Sequence, residues 1–196
     1  MKRLSIVSIL FIAACGKGGT PASDKGGDPA AQPAMLPGSA VADANAAIPA
    51  DLKGKLEFIA GSFAEKDIKL LVPMPKGWEM STVIPGSYKA PSELGFLTKF
   101  SVGSSCDGVC EKKDWAAAAD HELFAQFKSG FTLESDSKAD GMRTLRATND
   151  GAAYVAVAKW KPDASRYFSC YVVLDREAAA AAPAFEKACR ALTPEW

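Results

Sequence analysis

The pattern of hydrophobic and polar positions divides the chain into three parts. Residues 4–14 form a short apolar run interrupted only by two serines, and residues 16–50 are rich in small and polar side chains without one aromatic. From residue 51 onward, apolar positions recur with the periods of strands and helices. Because such a pattern lets one face of each element be buried, we predict a single folded domain over residues 51–196.

The first half of this domain is predicted to consist of strands. Runs of aliphatic and aromatic residues at 56–59, 68–72, 78–84 and 96–102 are separated by segments that contain proline and glycine. We expect the second strand to end at the turn 73–78, because proline has no N–H to donate to a neighbouring strand.

A helical period appears between residues 112 and 129. Apolar side chains recur every four residues, the spacing that lines one face of a helix, at Trp115, Ala119, Leu123 and Phe127. We therefore predict a helix over residues 112–129 with this face packed on a sheet.

Three strands are predicted to follow that helix, at residues 142–148, 152–160 and 166–174. The first two are separated by Asn149-Asp150-Gly151. This sequence is typical of a tight hairpin turn, so the three strands should form an antiparallel meander.

The alanine-rich segment 176–192 predicts the closing helix. Pro183 should kink or delay this helix, because proline removes one backbone hydrogen bond. Runs of strands with helices at two places indicate an α+β fold, in which two main helices pack on an antiparallel β-sheet.

The order of these elements is similar to that of the PsbP-like family. The resemblance covers about residues 55–193 and rests on a strand, the Pro73-Met74-Pro75-Lys76-Gly77-Trp78 turn, the meander and the closing helix. It implies an α/β/α sandwich, a fold that also occurs in exported bacterial lipoproteins. It transfers no binding or catalytic residue to this chain.

Charge excludes one class of partner. The chain has 23 Lys and Arg residues and 23 Asp and Glu residues, so its net charge is close to zero. No stripe of basic residues interleaved with aromatics supplies the positive field that a phosphate backbone requires. We expect no nucleic-acid partner.

The first fourteen residues have the three parts of a signal peptide. Lys2 and Arg3 give a positive start, an apolar run follows from Leu4, and small residues end the segment at Ala14. The apolar run is about half the roughly 20 residues that a membrane-spanning helix needs. We expect residues 1–14 to direct export and then to be removed.

The residues Ile12-Ala13-Ala14-Cys15 resemble the lipobox of bacterial lipoproteins. The resemblance implies that the Cys15 thiol receives diacylglycerol, that the leader is cut before Cys15, and that the new amine is acylated, commonly with palmitate. Gly16 in place of Asp implies sorting to the outer membrane of a Gram-negative bacterium. An ordinary secretory leader with a chance cysteine is the alternative.

Residues 15–50 are predicted to be a disordered linker between the lipidated cysteine and the domain. Glycine, proline and alanine dominate this segment, which therefore offers too little apolar surface to offset the entropy of ordering it. As a flexible coil it would reach roughly 30 Å from the membrane.

Four cysteines remain in the exported part: Cys106, Cys110, Cys170 and Cys189. An even number outside the cytoplasm predicts disulfides, and three pairings are possible. We favour Cys106 with Cys110 and Cys170 with Cys189. A metal or redox site at Cys106 and Cys110 is the alternative, but the spacing matches neither zinc nor C-x-x-C motifs.

Little else in the sequence suggests catalysis. His121 is the only histidine, and it falls opposite the apolar stripe of the predicted helix, in solvent. The segment Asp136–Gly141 resembles part of a calcium loop, but Lys138 occupies a ligand position and Ala147 stands where a bidentate glutamate is required. We predict a hairpin turn there, and no metal, cofactor or catalytic residue.

Several aromatic residues could line a ligand groove, although aromatics in strands usually belong to the core: Trp78, Tyr88, Trp160, Tyr167, Tyr171 and Trp196. The sequence thus predicts a non-enzymatic, lipid-anchored envelope protein of binding or scaffolding type, with membrane lipid and an envelope protein as partners. The alternative is a periplasmic carrier of a small ligand, with a pocket between sheet and helix.

Overall fold

The computed structural model describes residues 35–65, 68–105, 130–139, 141–160 and 167–195. All of these belong to one compact unit of the chain, residues 33–196. Cys15, the leader, the predicted helix 112–129 with His121, and the pair Cys106 and Cys110 lie outside the described residues.

The described residues contain two α-helices, α1 (Ala40–Ala46) and α2 (Ala182–Arg190). Short 3-10 helices occur at Ala50–Leu52, Ser92–Leu94 and Ala179–Ala181. The described residues also contain ten strands: β1 (Phe58–Glu65), β2 (Ile68–Pro75), β3 (Glu79–Met80), β4 (Ser87–Lys89), β5 (Lys99–Ser105), β6 (Thr132–Ala139), β7 (Met142–Asn149), β8 (Ala152–Trp160), β9 (Tyr167–Leu174) and β10 (Thr193–Glu195).

The strands form two sheets rather than the one that was expected. The smaller sheet has the order β1-β2-β10, and the larger has the order β3-β4-β5-β9-β8-β7-β6. Every neighbouring pair is antiparallel. The α+β class with antiparallel pairing is therefore confirmed.

The main core lies between one face of the seven-stranded sheet, the three-stranded sheet and the helices. Phe185 of α2 is at its centre, where its ring lies 5.0 Å from that of Phe58, 5.6 Å from Trp78 and 6.1 Å from Phe100. These rings come from both sheets and the loop after β2, so the apolar face of α2 joins the two sheets.

The folded unit begins before residue 51, which corrects the last part of the predicted linker. Ala44 of α1 and Ile48 after it are buried in the main core. The Asn45 side chain donates to the Phe58 carbonyl at 2.8 Å and accepts the Phe58 N–H at 2.7 Å. The composition concealed this helix, because alanine buries a helix face without strong hydrophobic contrast.

The second strand does not end at its prolines, which corrects the prediction for residues 73–78. The Lys76 N–H donates to the Glu57 carbonyl, so antiparallel alternation places Pro73 and Pro75 at non-hydrogen-bonded positions toward β1. On the other side of β2, pairing with β10 stops at Leu71. The prolines therefore lack an N–H only on the side of β2 where no described strand pairs with it.

The region between Trp78 and Val102 also departs from the prediction. The strand expected at 78–84 is reduced to β3, an unpredicted strand β4 follows, and β5 starts three residues later than expected. The Ser81 hydroxyl accepts the N–H groups of Val83 and Ile84, so a polar side chain turns the backbone where apolar content suggested a strand.

The predicted meander is confirmed as strands β7, β8 and β9. Asn149 pairs with Ala152, and between them Asp150 and Gly151 have φ values of 48° and 86°. Positive φ at both central residues is the geometry of the hairpin turn that the sequence indicated.

The closing helix is confirmed in type and shortened at its start. A 3-10 turn precedes α2, and Pro183 lies in the first turn of the α-helix. At that position no intrahelical partner exists for an N–H, so proline begins the helix instead of kinking it.

Candidate functional site

An open groove of about 690 Å³ lies on the outer face of the seven-stranded sheet, near the β3 edge. It is lined by residues of four strands and of the loops beside them: Glu79, Met80, Ser81, Thr82, Ser87, Lys89, Phe96, Leu97, Thr98, Lys99 and Val173. We call it the edge groove.

The floor of the edge groove contains a row of side chains directly opposite one another on four strands. Glu79 pairs with Lys89, Lys89 with Lys99, and Lys99 with Val173. Since side chains alternate between the two faces, Phe100, next to Lys99, points instead into the main core. The floor is therefore an amphipathic strip with two adjacent ammonium groups.

The two lysines have no ion pair with any described residue. The Lys89 ammonium lies 4.8 Å above the centre of the Phe96 ring, a cation–π contact that directs it along the groove wall. Glu79 and Lys89 are both exposed, and no ion pair joins them. Like charges directly opposite each other on neighbouring strands disfavour the folded sheet, so the Lys89–Lys99 pair does not stabilise the pairing of β4 with β5.

One wall of the groove is the loop 94–98, which carries Phe96 and Leu97. Asp175, at the end of β9, accepts the Leu97 N–H at 3.3 Å, and the Asp175 N–H donates to the Thr98 hydroxyl at 2.9 Å. The Thr98 hydroxyl in turn donates to the Leu94 carbonyl. The loop is thus attached to the sheet, and Phe96 stays 77% exposed because the backbone is held in this path.

Gly95 permits the close approach of this loop to β9. Its φ is 94°, and a β-carbon at that position would collide with the Asp175 side chain. Glycine adopts this conformation without a steric penalty, so the loop can present Phe96 and Leu97 to solvent while Asp175 holds its backbone.

Ser81 and Thr82, at the start of the loop 81–86, line the groove opposite the loop 94–98. The Ser81 hydroxyl accepts two backbone N–H groups, and Val102 donates to the Gly86 carbonyl at 2.8 Å. Val83 and Ile84 at the tip of this loop are exposed, as is Met80 just before it. Both loops are therefore hydrogen-bonded and display apolar side chains, and of these exposed side chains Met80, Phe96 and Leu97 line the groove.

A smaller cavity of about 310 Å³ adjoins the edge groove and shares Glu79, Lys89 and Phe96 with it. A third cavity, of about 520 Å³, lies beside α1 and β1, where Lys76 is paired with Glu57 at 2.8 Å. None of these three cavities lies between the seven-stranded sheet and α2. There, in the described core, the rings around Phe185 fill the space.

Of the predicted disulfides, the structure contains the one that joins Cys170 of β9 to Cys189 of α2, with Cα atoms 5.2 Å apart. It connects two elements of the main core. The prediction for Cys106 and Cys110 falls outside the described residues, as does that of lipidation at Cys15.

The hairpin turn predicted within Asp136–Gly141 is confirmed at the end of this segment, where Ala139 of β6 pairs with Met142 of β7, but the start of the segment is strand. Asp136 lies within β6, opposite Leu145, and the chain reverses direction later, near Gly141, whose φ is 69°. The Asp136 carboxylate accepts a hydrogen bond from Arg143 Nε at 2.8 Å and a second from its Nη2. The carboxylate of this calcium-like segment is thus engaged by a buried arginine.

The aromatic residues singled out in the sequence do not line the edge groove. Trp78 and Tyr88 belong to the main core, and Tyr167, Trp160 and Tyr171 belong to a second apolar cluster on the opposite face of the sheet. Trp196 lies outside the described residues. Sequence reasoning missed Phe96, Leu97, Lys89 and Lys99, because a strand predicted over 96–102 would have buried Phe96 beside Phe100.

Among the titratable groups of the described residues, three have shifted pKa values, and none of them lines the groove. Burial raises the pKa of Tyr154 well above 10.0, with a smaller contribution from Tyr171, and burial raises that of Tyr88. Burial, followed by the charge of Arg190, lowers the pKa of Lys159, whose ammonium donates to the Leu192 carbonyl at 2.8 Å. Lys159 therefore caps the chain after α2.

The described part of the chain contains neither a cluster of metal ligands nor a membrane-spanning helix. No group of three or more His, Cys, Asp or Glu side chains is arranged there to hold a metal ion. Among the described helices, none has the length and apolar character needed to cross a bilayer.

Comparison with protein-family models and with curated proteins finds no match for this chain. The class that fold and site define is an α+β domain of two antiparallel sheets with an open, amphipathic groove at one sheet edge.

Proposed function

We propose that this chain is a membrane-anchored extracytoplasmic lipoprotein, and that its domain binds another component of the cell envelope without catalysing a reaction. The anchor is acylated Cys15, and the membrane is the outer membrane of a Gram-negative bacterium. The edge groove, with the loop tips beside it, is the binding surface.

The anchor is supported by the leader pattern and by the cysteine usage. Charge, run length and the position of Cys15 agree with a lipoprotein signal. The Cys170–Cys189 disulfide fits an oxidising compartment outside the cytoplasm.

The observation that carries the binding proposal is the exposure of large apolar side chains at one corner of the domain. They are Met80, Val83, Ile84, Phe96 and Leu97. Hydrogen-bonded loops hold Phe96 and Leu97 outward against their tendency to be buried. A partner that covers them gains free energy from burial without first ordering the loops.

The PsbP-like sandwich remains our proposal for the finer fold. Helices α1 and α2 contact each other and share the main core, so they lie on one side of the seven-stranded sheet. A sandwich requires a helix on the other face, which the predicted helix 112–129 would supply. This proposal adds no function.

A small-ligand carrier is the second candidate, and the volume of the edge groove favours it. A groove of about 690 Å³ falls within the roughly 300–1,000 Å³ typical of ligand sites. The site differs from the one expected between sheet and helix, where core side chains are packed.

The anchor is tested with Cys15→Ser in the full chain. We expect the variant to keep its leader and to lose acylation, as measured by mass spectrometry and by metabolic labelling with palmitate. A Cys15→Ser chain that is still cut before residue 15 and still sediments with membranes would overturn the lipoprotein proposal.

The binding surface is tested by photocrosslinking in intact cells. A photoreactive amino acid replaces Phe96 at the groove in one version and Leu133 on β6 in the matched control, since both side chains are exposed. We expect one reproducible adduct with an envelope component from position 96 and none from position 133. Equal adducts from both positions would contradict a specific role of the groove.

A further inference from the structure

The edge groove combines apolar walls with a pair of adjacent cationic side chains that no described carboxylate engages in an ion pair. We propose that it binds a monomeric single-chain amphiphile with an anionic head group, of the fatty-acid type. The head group lies between Lys89 and Lys99, and the chain lies along Phe96 and Leu97. This inference names the ligand class of the second candidate function, a small-ligand carrier with the edge groove as its site, and so rests on that candidate.

The charge of the floor selects the head group. Lys89 and Lys99 are opposite each other on β4 and β5, so their side chains leave the sheet on the same face and side by side. A carboxylate between them would relieve their mutual repulsion and accept hydrogen bonds from both. Glu79, opposite Lys89 on its other side, reduces the positive charge of this row but leaves an excess of one.

The walls select the rest of the ligand. Phe96 and Leu97 on one loop and Met80 near the other provide apolar contact next to the lysines, and Val173 continues the floor toward β9. A small inorganic anion would leave these side chains in water, whereas a neutral alkane would leave the ammonium groups without a counter-charge. An anionic amphiphile satisfies both parts of the groove.

Contacts within the domain already hold the side chains that line the groove in place. Phe96 and Leu97 are placed by Asp175 and Thr98, and Lys89 is directed by its contact with Phe96. Binding therefore needs little ordering of the protein, which favours measurable affinity from a small contact area.

The test is calorimetric titration of the full chain carrying Cys15→Ser, so that no acyl chain of its own competes. The probes are decanoate below its micelle concentration, decyltrimethylammonium with the same chain and opposite charge, and acetate with the same head group and no chain. We expect decanoate to bind about tenfold more tightly than the decyl cation, and acetate to show no saturable binding.

Groove variants assign the site. Lys89→Gln with Lys99→Gln, and separately Phe96→Ala with Leu97→Ala, should each weaken decanoate binding about tenfold. Lys187→Gln on α2, an exposed lysine outside the groove, is the control for loss of a positive charge elsewhere on the surface and should leave binding unchanged. Glu79→Gln should tighten binding by about twofold, because it removes the one negative charge of the floor.

Every altered side chain is exposed, so thermal unfolding should be unchanged and will separate lost binding from lost folding. Equal affinity for the decanoate anion and the decyl cation, or no effect of the lysine pair, would overturn the proposal. Binding to phosphatidylglycerol vesicles without binding to monomeric decanoate would overturn it in favour of docking on a lipid surface. These results leave the Cys15 anchor, tested by processing, unaffected.

Discussion

The two edges of the seven-stranded sheet differ in the length of the edge strand and in the polarity of the side chains that they expose. At the β6 edge, all eight residues of the strand are exposed and mostly polar, and a register irregularity between Leu133 and Ser135 interrupts its pairing with β7. At the β3 edge, the outermost strand has two residues, and apolar side chains extend from the loops around it. Polar residues and irregular pairing keep a long edge from associating with other chains, whereas a very short edge strand needs no such protection.

Charge follows the same division. Near the β6 edge, Arg143 is 2% exposed and engages Asp136 through two hydrogen bonds, and Arg146 lies near both Glu134 and Glu186. Near the β3 edge, Lys89 and Lys99 have no ion-pair partner among the described residues. Charges at the first edge are thus paired with one another, whereas the two lysines at the second edge have no ion pair within the described part of the chain.

The largest contrast should come from removing one arginine. Arg143→Ala should lower the free energy of unfolding by about 2–4 kcal/mol, because it leaves Asp136 without its cation and opens a cavity beside Leu145. Lys99→Ala at the other edge should stay within about 0.5 kcal/mol of wild type. Urea unfolding followed by tryptophan fluorescence measures both, and similar losses for the two variants would refute the division of charge.

The next largest contrast should be in stability at alkaline pH, between a tyrosine of β8 and a tyrosine of β4. Tyr154 on β8 and Tyr88 on β4 both have raised pKa values, and that of Tyr154 is raised further. Above about pH 10 the unfolded chain loses a proton that the folded tyrosine keeps, so stability is retained below pH 10 and falls as pH rises, by up to about 1.4 kcal/mol per pH unit for each group.

Phenylalanine variants isolate these contributions. Tyr154→Phe should remove more of the alkaline loss than Tyr88→Phe does, with each variant referred to its own stability at pH 8. Urea unfolding between pH 8 and 11 gives the curves, and the opposing contribution of Lys159 cancels in the comparison. A larger effect from Tyr88→Phe would contradict the difference in burial.

The protective role of the β6 edge can be tested through association. Glu134→Val with Lys138→Val should change stability by about 1 kcal/mol or less but increase self-association, because it makes a long edge strand apolar. Sedimentation velocity over a concentration series provides the measurement. The matched change at the short edge, Glu79→Val with Lys89→Val, should produce less association, and the reverse order would invalidate the comparison.

The smallest effect should be a gain in stability at the groove. Lys99→Glu replaces a like-charge pair with an opposite-charge pair across β4 and β5, so it should raise the free energy of unfolding by about 0.5 kcal/mol at low salt. The gain should shrink as salt screens the exposed charges. A loss of stability at low salt would show that Lys99 has a structural partner after all.

The elements predicted well are those specified by neighbouring residues. The hairpin between β7 and β8 follows from Asn149-Asp150-Gly151, and β9 and α2 follow from strong apolar periodicity. The regions predicted poorly depend on remote contacts. β6 has too few apolar residues to show alternation and becomes a strand by pairing with β7, and α1 is fixed by a hydrogen-bonded asparagine thirteen residues from its partner.

The groove shows most clearly where sequence reasoning stops. Phe96 and Leu97 lie on a loop held by a hydrogen bond to Asp175, 78 residues away from Leu97 along the chain. The periodic pattern predicts that an apolar pair before Phe100 continues the strand and is buried. Phe96 and Leu97 are exposed instead, because the end of β9 approaches this loop and holds its backbone.

The sequence by itself determined the α+β class, the meander with its hairpin turn and the closing helix, and it narrowed the pairing of Cys170 to three choices, among which the structure selects Cys189. These depend on local turn chemistry, periodicity and a small choice of pairings. Tertiary structure alone decided that the strands divide into two sheets and that the two lysines become neighbours. The pairings of β10 with β2 and of β5 with β9 join segments far apart along the chain, and β4 is too short and too weakly apolar to be recognised from its own residues.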